Sequence, residues 1–378
     1  MDTIVVSTDN TGFDYDIHSL VKAFYPECDV AVLGPDDERT LSSSEGYPDI
    51  SLNFSDEEIF LTVISKESFG RKVPISPEYD RGVIKNLLKR LIYSGLSEFT
   101  GRTLPWGTLT GIRPVKIPMM LLDDASDEEI YEYMKEVYLL SDEKMKLSLD
   151  IAKRENRIIK SIDTDNGYSL YVGIPFCPTR CLYCSFTSYP ISTYKDRVKD
   201  YLDALFTEMD LTSGLLSEKT LDTVYIGGGT PTALEAEELD LLLTKIENTY
   251  DLSHIRELTV EAGRPDSITR DKLRTLKKHN VTRISVNPQS MNQQTLDYIG
   301  RLHSVEVIRE TFKMAREEGF DNINMDIILG LPGEGPAEVS HTIEEIQKLS
   351  PDSLTVHSLA IKRASRMSEW IQTNGLST

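Results

Sequence analysis

Cysteine is scarce in this chain, with four residues in 378, too few for a disulfide scaffold. No run of about 18 apolar residues occurs, so no transmembrane helix is expected. The opening residues, Met1-Asp-Thr-Ile-Val-Val-Ser, lack the basic stretch and long apolar core of a secretory signal. The six histidines show no close pairing that suggests a metal site. Positive charge is in deficit: 41 Lys and Arg stand against 61 Asp and Glu, a net charge of −20. Such an acidic surface disfavours non-specific binding to nucleic acid or anionic membranes, which need basic patches. An anionic substrate would need a local cationic pocket set against this global field. Repeats and low-complexity segments are also missing. These absences predict a cytoplasmic protein with no nucleic-acid partner and no membrane insertion. The hydrophobic fraction, 39%, is enough for sizeable cores, and the length suggests two or three domains.

Three of the four cysteines nevertheless crowd into one stretch, Tyr171-Val-Gly-Ile-Pro-Phe-Cys177-Pro-Thr-Arg-Cys181-Leu-Tyr-Cys184. The spacing is C-x3-C-x2-C, just after an apolar, strand-like run. Thiolates this close can hold three irons of a cubane iron–sulfur cluster. The fourth iron then lacks a protein ligand, and an open metal position is where a substrate or cosubstrate can coordinate. A structural zinc site is the competing reading. It needs four ligands, usually as two paired Cys/His elements, and no His lies between Gly173 and Tyr201. Inert thiols are a further alternative, and Cys28 reads as a core residue.

Residues 1–165 read as a smaller α+β domain. Ile4–Ser7 and Val30–Leu33 are strand-like, and Ile50–Phe54 and Ile59–Ile64 flank Asp56-Glu57-Glu58 as a hairpin. Apolar residues recur at helical spacing between Pro77 and Phe99, and two more helices are expected at Asp127–Tyr138 and Ser141–Lys160, the second capped by Ser141. Arg102 and Arg113 flank Trp106, where packing is a better reading than anion binding. Residues 166–378 switch to strand–helix alternation. Six β-rich runs appear: Leu170–Ile174, Thr223–Ile226, Leu258–Glu261, Arg283–Val286, Ile323–Leu329 and Leu354–Val356. Alternating β and α elements argue for a parallel sheet covered by helices. Six units are fewer than the eight of a closed barrel, so the fold class is α/β, an open, partial (β/α)6 barrel with its chemistry at the C-terminal strand ends.

Each strand end carries a polar or glycine feature. The second ends in Gly227-Gly-Gly-Thr-Pro-Thr232, where glycines let backbone N–H groups approach a ligand. The third ends at Glu261, suited to ribose hydroxyls or an ammonium group. The fourth leads to Gln289, both donor and acceptor, and then to Arg301, which can pair bidentately with a carboxylate. Asp326 lies inside the apolar fifth run, and a buried Asp implies a polar partner. His303 and His357 fall near the expected mouth. The summed picture is one extended polar cosubstrate lying across the barrel mouth and touching the cluster.

As a set, these motifs resemble the radical S-adenosylmethionine superfamily and, within it, the oxygen-independent coproporphyrinogen III oxidase-like family. Leu109-Thr-Gly-Ile-Arg-Pro-Val-Lys-Ile117 in the N-terminal region is similar to the extension of that family's HemZ-type subgroup. The resemblance implies that Cys177, Cys181 and Cys184 hold a [4Fe–4S] cluster whose open iron is chelated by S-adenosyl-L-methionine. It places Tyr171, Tyr183, Gly228, Gly229, Thr230, Glu261, Gln289, Arg301, Asp326 and Ala360 on the cosubstrate. It implies an oxidoreductase of haem biosynthesis. In such an enzyme a 5′-deoxyadenosyl radical takes hydrogen from propionates of a porphyrinogen, and carbon dioxide leaves to form vinyl groups. A flavodoxin- or ferredoxin-type electron donor is implied with it.

Two positions depart from the oxidase pattern. Phe186 stands where the oxidases carry a further cysteine, as in haem-trafficking relatives, and Gly173 replaces a histidine. The alternatives are therefore a haem-binding or trafficking protein of the same family, or a radical enzyme on another substrate. The family's C-terminal domain is expected to be absent from this chain.

Overall fold

The computed structural model describes residues 2–37, 42–65 and 68–374 and divides into two compact units, Met1–Ser161 and Ile162–Thr378. In the first unit, β1 (Thr3–Thr8), β2 (Asp29–Leu33), β3 (Asp49–Phe54), β4 (Glu58–Ile64) and β5 (Ser68–Pro74) form one sheet in the order β2-β1-β3-β4-β5. β1 runs parallel to β2 and β3, while β4 is antiparallel to β3 and β5. Alternation puts Ile59, Leu61 and Val63 into the core, as a period of two requires. Helix Arg81–Thr100 starts where Asp80 accepts hydrogen bonds from Gly82 N and Val83 N, and it buries Leu88, Leu91, Ile92 and Leu96. Ser141 caps helix Asp142–Ile159 through Lys144 N, and a second helix spans Asp127–Tyr138. Cys28 is fully buried in this core. Arg102 donates to the Phe24 carbonyl at 2.7 Å, a packing role. Helix Asp14–Phe24, strand β5 and the short helix Lys116–Leu121 were not expected from the sequence.

The second unit holds the predicted barrel. Its strands are β6 (Gly167–Ile174), β7 (Thr220–Gly228), β8 (Glu257–Glu261), β9 (Arg283–Ser285), β10 (Ile323–Leu329) and β11 (Ser353–Ser358). They pair in strict chain order, β6 through β11, and every pair is parallel. Among the described residues β6 and β11 stay unpaired with each other, so the barrel is open. Helices Val198–Leu215, Ala236–Thr249, Arg270–Lys278, Val305–Glu317 and Pro336–Leu349 provide the crossovers that parallel strands need.

Register aligns the strand faces in rows. Val172, Ile226 and Val260 fall in one outward row, packed in the core with Leu242, Leu276 and Phe312. One residue later, Glu261, Ser285 and Asn324 share an inward row. The core therefore lies between sheet and helices, and the polar residues face the barrel interior.

Candidate active site

The cysteine loop leaves β6 and is pinned on both sides. Gly229 N donates to the Ile174 carbonyl and Thr230 N to the Phe176 carbonyl, both at 2.7 Å, which stitches the glycine segment after β7 to this loop. Gly228 has a φ of +105°, a conformation natural only to glycine. A Cβ at Gly229 would lie 2.7 Å from the Phe176 carbonyl oxygen and 3.0 Å from Cys177 Sγ, so the close approach demands glycine there too. On the far side Leu182 N reaches the Ile299 carbonyl at 3.0 Å, and Met367 N reaches the Leu182 carbonyl at 2.9 Å.

A cavity of about 420 Å³ opens at these strand ends, and Cys177, Cys181 and Cys184 all line it. This is the usual size of a small-molecule site. Thr230 Oγ1 donates to Cys177 Sγ at 3.5 Å, and Arg264 Nη1 donates to Cys181 Sγ at 3.5 Å. Burial, reinforced by the neighbouring thiols, pushes Cys177 and Cys184 above the ordinary thiol value. Binding of a metal cluster would release their protons.

The opposite wall is polar and incompletely satisfied. Arg301, almost fully buried, donates to the carbonyls of Asn287 and Gly263 and to the Tyr183 hydroxyl at 3.4 Å. Burial pushes that tyrosine up to about 12. Arg301 Nε, Gln289 Oε1, Asn287 Oδ1 and Ser285 Oγ are buried without a hydrogen-bond partner. Each such group costs on the order of 1–3 kcal/mol unless a ligand meets it. Gln289 adds backbone strain: its φ is +66°, a sparsely populated region for a side chain with a Cβ. It is held there by Gln289 N to the Asp326 carbonyl at 2.9 Å and Ile328 N to the Gln289 carbonyl at 3.0 Å. Asp326 finds the polar partner it needed, Asn324 Nδ2 at 2.6 Å. Glu261 accepts from the Tyr225 hydroxyl and is raised above the usual carboxylate value, chiefly by burial.

Cys177, Cys181, Cys184, Tyr183, Gly228, Gly229, Thr230, Glu261, Gln289, Arg301, Asp326 and Ala360 thus surround one cavity. Tyr171 is not among its lining residues; its ring stacks on Tyr225 at 5.9 Å and is mostly exposed. His357 lines the cavity, whereas His303 sits behind the wall with Nδ1 3.3 Å from Asp266. The sequence reading missed Arg180, Asn287 and Lys362, which also line it. The position of Arg180 between two cysteines was the one available signal. Among the described residues no three His, Cys, Asp or Glu side chains gather closely enough to hold a single metal ion. A glycine cradle against a cysteine sulfur, beside unpartnered polar atoms, fits a cluster with an adjoining polar cosubstrate.

Residues 171–346 match the Radical SAM superfamily, the class that this barrel and its cysteine loop define. The chain is 39% identical over 366 residues to the oxygen-independent coproporphyrinogen-III oxidase-like protein HemZ of Bacillus subtilis, covering 93% of this chain and 71% of that protein. It is 37% identical over 195 residues to the heme chaperone HemW of the same organism, about half of each chain (51%). Among solved structures it is similar to coproporphyrinogen III oxidase HemN of Escherichia coli, a radical SAM enzyme. That match has 28% identity and a TM-score of 0.47, and it covers 55% of this chain and 52% of that one. The chain belongs to the HemZ-type group of the oxygen-independent coproporphyrinogen III oxidase-like family. Membership brings a [4Fe–4S] cluster and S-adenosyl-L-methionine as cofactors.

Proposed function

We propose that this chain is an oxidoreductase of haem biosynthesis that decarboxylates the propionates of coproporphyrinogen III to vinyl groups. Cys177, Cys181 and Cys184 hold the cluster. Glu261, Gln289, Arg301 and Asp326 are the polar contacts of S-adenosylmethionine, and Tyr171 reaches it from beside Tyr225. When bound, the reduced cluster and its cosubstrate supply a carbon radical able to take a hydrogen atom. The chain's own work is to orient that cosubstrate and to keep water from the site. One electron leaves the substrate with each carbon dioxide and goes to an external acceptor, while a flavodoxin- or ferredoxin-type protein supplies the reducing electron.

One observation carries the substrate class. Three basic side chains, Arg180, Arg301 and Lys362, line the cavity against two carboxylates, Glu261 and Asp326, beside Arg264, which is already paired with Asp266, in a chain of net charge −20. That is the local cationic pocket an anionic substrate requires. No described helix is long and apolar enough to cross a membrane; the cytoplasmic placement is part of the proposal. A second reading is favoured by Phe186, which lines the cavity yet is 70% exposed, a flat apolar surface offered to a haem-like ring.

The test is anaerobic incubation of the reconstituted chain with S-adenosylmethionine, a low-potential reductant and coproporphyrinogen III. Protoporphyrinogen with matching release of methionine is the expected result. Stoichiometric haem uptake without turnover would favour the carrier. Methionine release with an unchanged porphyrinogen would direct attention to another substrate.

A further inference from the structure

We propose that Arg264 is a positioning residue that raises the reduction potential of the cluster through the sulfur of Cys181. The inference rests on the reading of Cys177, Cys181 and Cys184 as the cluster's ligands.

Arg264 is 3% exposed. Its guanidinium faces two ways. Nε and Nη2 bind both oxygens of Asp266, at 2.9 and 2.8 Å, while Nη1 reaches Thr179 Oγ1 at 3.1 Å and Cys181 Sγ at 3.5 Å. Its backbone is equally fixed. Ser267 Oγ and Ser267 N donate to the Arg264 carbonyl at 2.7 and 2.9 Å, and the buried Lys272 ammonium holds the Ser267 carbonyl at 3.2 Å. A planar fork clamped on one edge by a carboxylate has its remaining edge aimed without further entropy cost.

A buried ion pair is weak evidence for stability, because desolvation offsets the attraction. What this pair achieves is orientation. The positive group is near the sulfur, and its counter-charge lies on the opposite edge. Reduction adds one electron to the [4Fe–4S] cluster from an external reductant, with no bond made or broken. The added negative charge is felt on the ligand sulfurs. Attraction to the nearer guanidinium exceeds repulsion by the more distant carboxylate, since the interaction falls with separation. Hydrogen bonds to ligand sulfurs and local charge are established determinants of cluster potentials. Arginine stays protonated across the usable pH range.

The test is a redox titration of the reconstituted full chain, followed by electron paramagnetic resonance of the reduced cluster without S-adenosylmethionine. Arg264→Gln keeps a donor and removes the charge. Its ratio of reduced to oxidised cluster at a fixed potential should fall at least tenfold, which is 59 mV for a one-electron couple. Asp266→Asn leaves the arginine charge uncompensated and should move the ratio the other way. Arg264→Lys should recover part of the wild-type value. Midpoints that stay put in both variants, with about four irons bound as a cubane requires, overturn the proposal. Folded variants that load no iron overturn it too, because the pair would then build the site rather than tune it. A wild-type chain that fails to bind about four irons removes the ligand reading itself, and this inference with it.

Discussion

The two faces of the six-stranded sheet obey opposite rules. On the outer face Val172, Ile174, Val224, Ile226, Leu258, Val260, Ile284, Met325 and Ile327 are buried beneath the helices. Each such side chain contributes about 1.5–3 kcal/mol when removed from water. On the inner face the alternate positions are Tyr171, Tyr225, Glu261, Ser285, Asn324 and Asp326. A parallel sheet is ordinarily apolar on both sides, and a closed barrel packs its interior as a core. Here the interior gives up that stabilisation and carries unpartnered polar atoms and a strained glutamine instead. Stability resides in one face and the site in the other, so substitutions on the two faces should separate the two properties.

The strongest way to sharpen that contrast is Cys181→Ala, at the end of the inner face. Anaerobic reconstitution should give about four irons per wild-type chain, the cubane complement, and far fewer in the variant. Cleavage of S-adenosylmethionine should fall to background while the thermal transition is retained. Iron and sulfide analysis with a methionine assay reads both. A variant that still cleaves would break the assignment, as would zinc in anaerobically prepared wild type.

The outer face predicts the converse. Ile226 is fully buried, and Ile226→Ala should cost about 2–5 kcal/mol, seen as a lower urea midpoint. Binding of S-adenosylmethionine per folded molecule should hardly change. A variant with intact stability but lost binding would show that the division between faces is false.

Gln289→Gly tests the strain directly. Relief of a left-handed conformation returns about 1–2 kcal/mol, and removal of a buried unpartnered oxygen adds to it, while the extra chain entropy of glycine takes back about 0.5–1 kcal/mol. The cofactor-free chain should therefore become slightly more stable as its affinity for S-adenosylmethionine weakens, read by urea titration and calorimetry. A loss of both would mark Gln289 as a structural residue.

The difference between the faces also explains what was legible in the sequence. Outward residues repeat every second position in short apolar runs, so all six strands were found, with Ile323–Leu329 matching to the residue. The cysteine loop and glycine segment were found from their spacing. Helix Asp14–Phe24 carries a buried stripe of Ile17, Leu20, Val21 and Phe24, but it is short and lies between two strand-like runs, which mask its period. β5 buries no residue fully and so offered no period to detect. Arg264 was visible only as a charge after a strand. Its burial depends on Asp266 and Thr179, and the second partner is 85 positions away. The left-handed backbone of Gln289 had no signal at all, since glycine and asparagine are the residues that announce such a conformation. The family resemblance places Tyr171 on the cosubstrate, and the structure leaves it out of the cavity lining. Its position follows from its neighbour on β7: the two rings stack across adjacent parallel strands.

The smallest expected effect concerns the charge on the inner face. Burial is the main cause holding Glu261 above its ordinary value, and Asp326 adds to it; the Tyr225 hydroxyl and the Gly228 N–H act in the opposite direction. In the unfolded chain the carboxyl ionises near 4.5. Between that value and the higher folded one, the folded state holds this proton more tightly. The associated stability is therefore fully present below pH 4.5 and is lost as pH rises through the folded value. Glu261→Gln has no proton to lose. The difference in urea midpoint, wild type minus variant, should decline as pH rises across the weakly acidic range and then level off, because the other carboxylates cancel in the subtraction. A difference that climbs with pH would mean that the hydrogen bonds to Glu261 outweigh its desolvation. The inner face would then be satisfied at this position before any cosubstrate arrives.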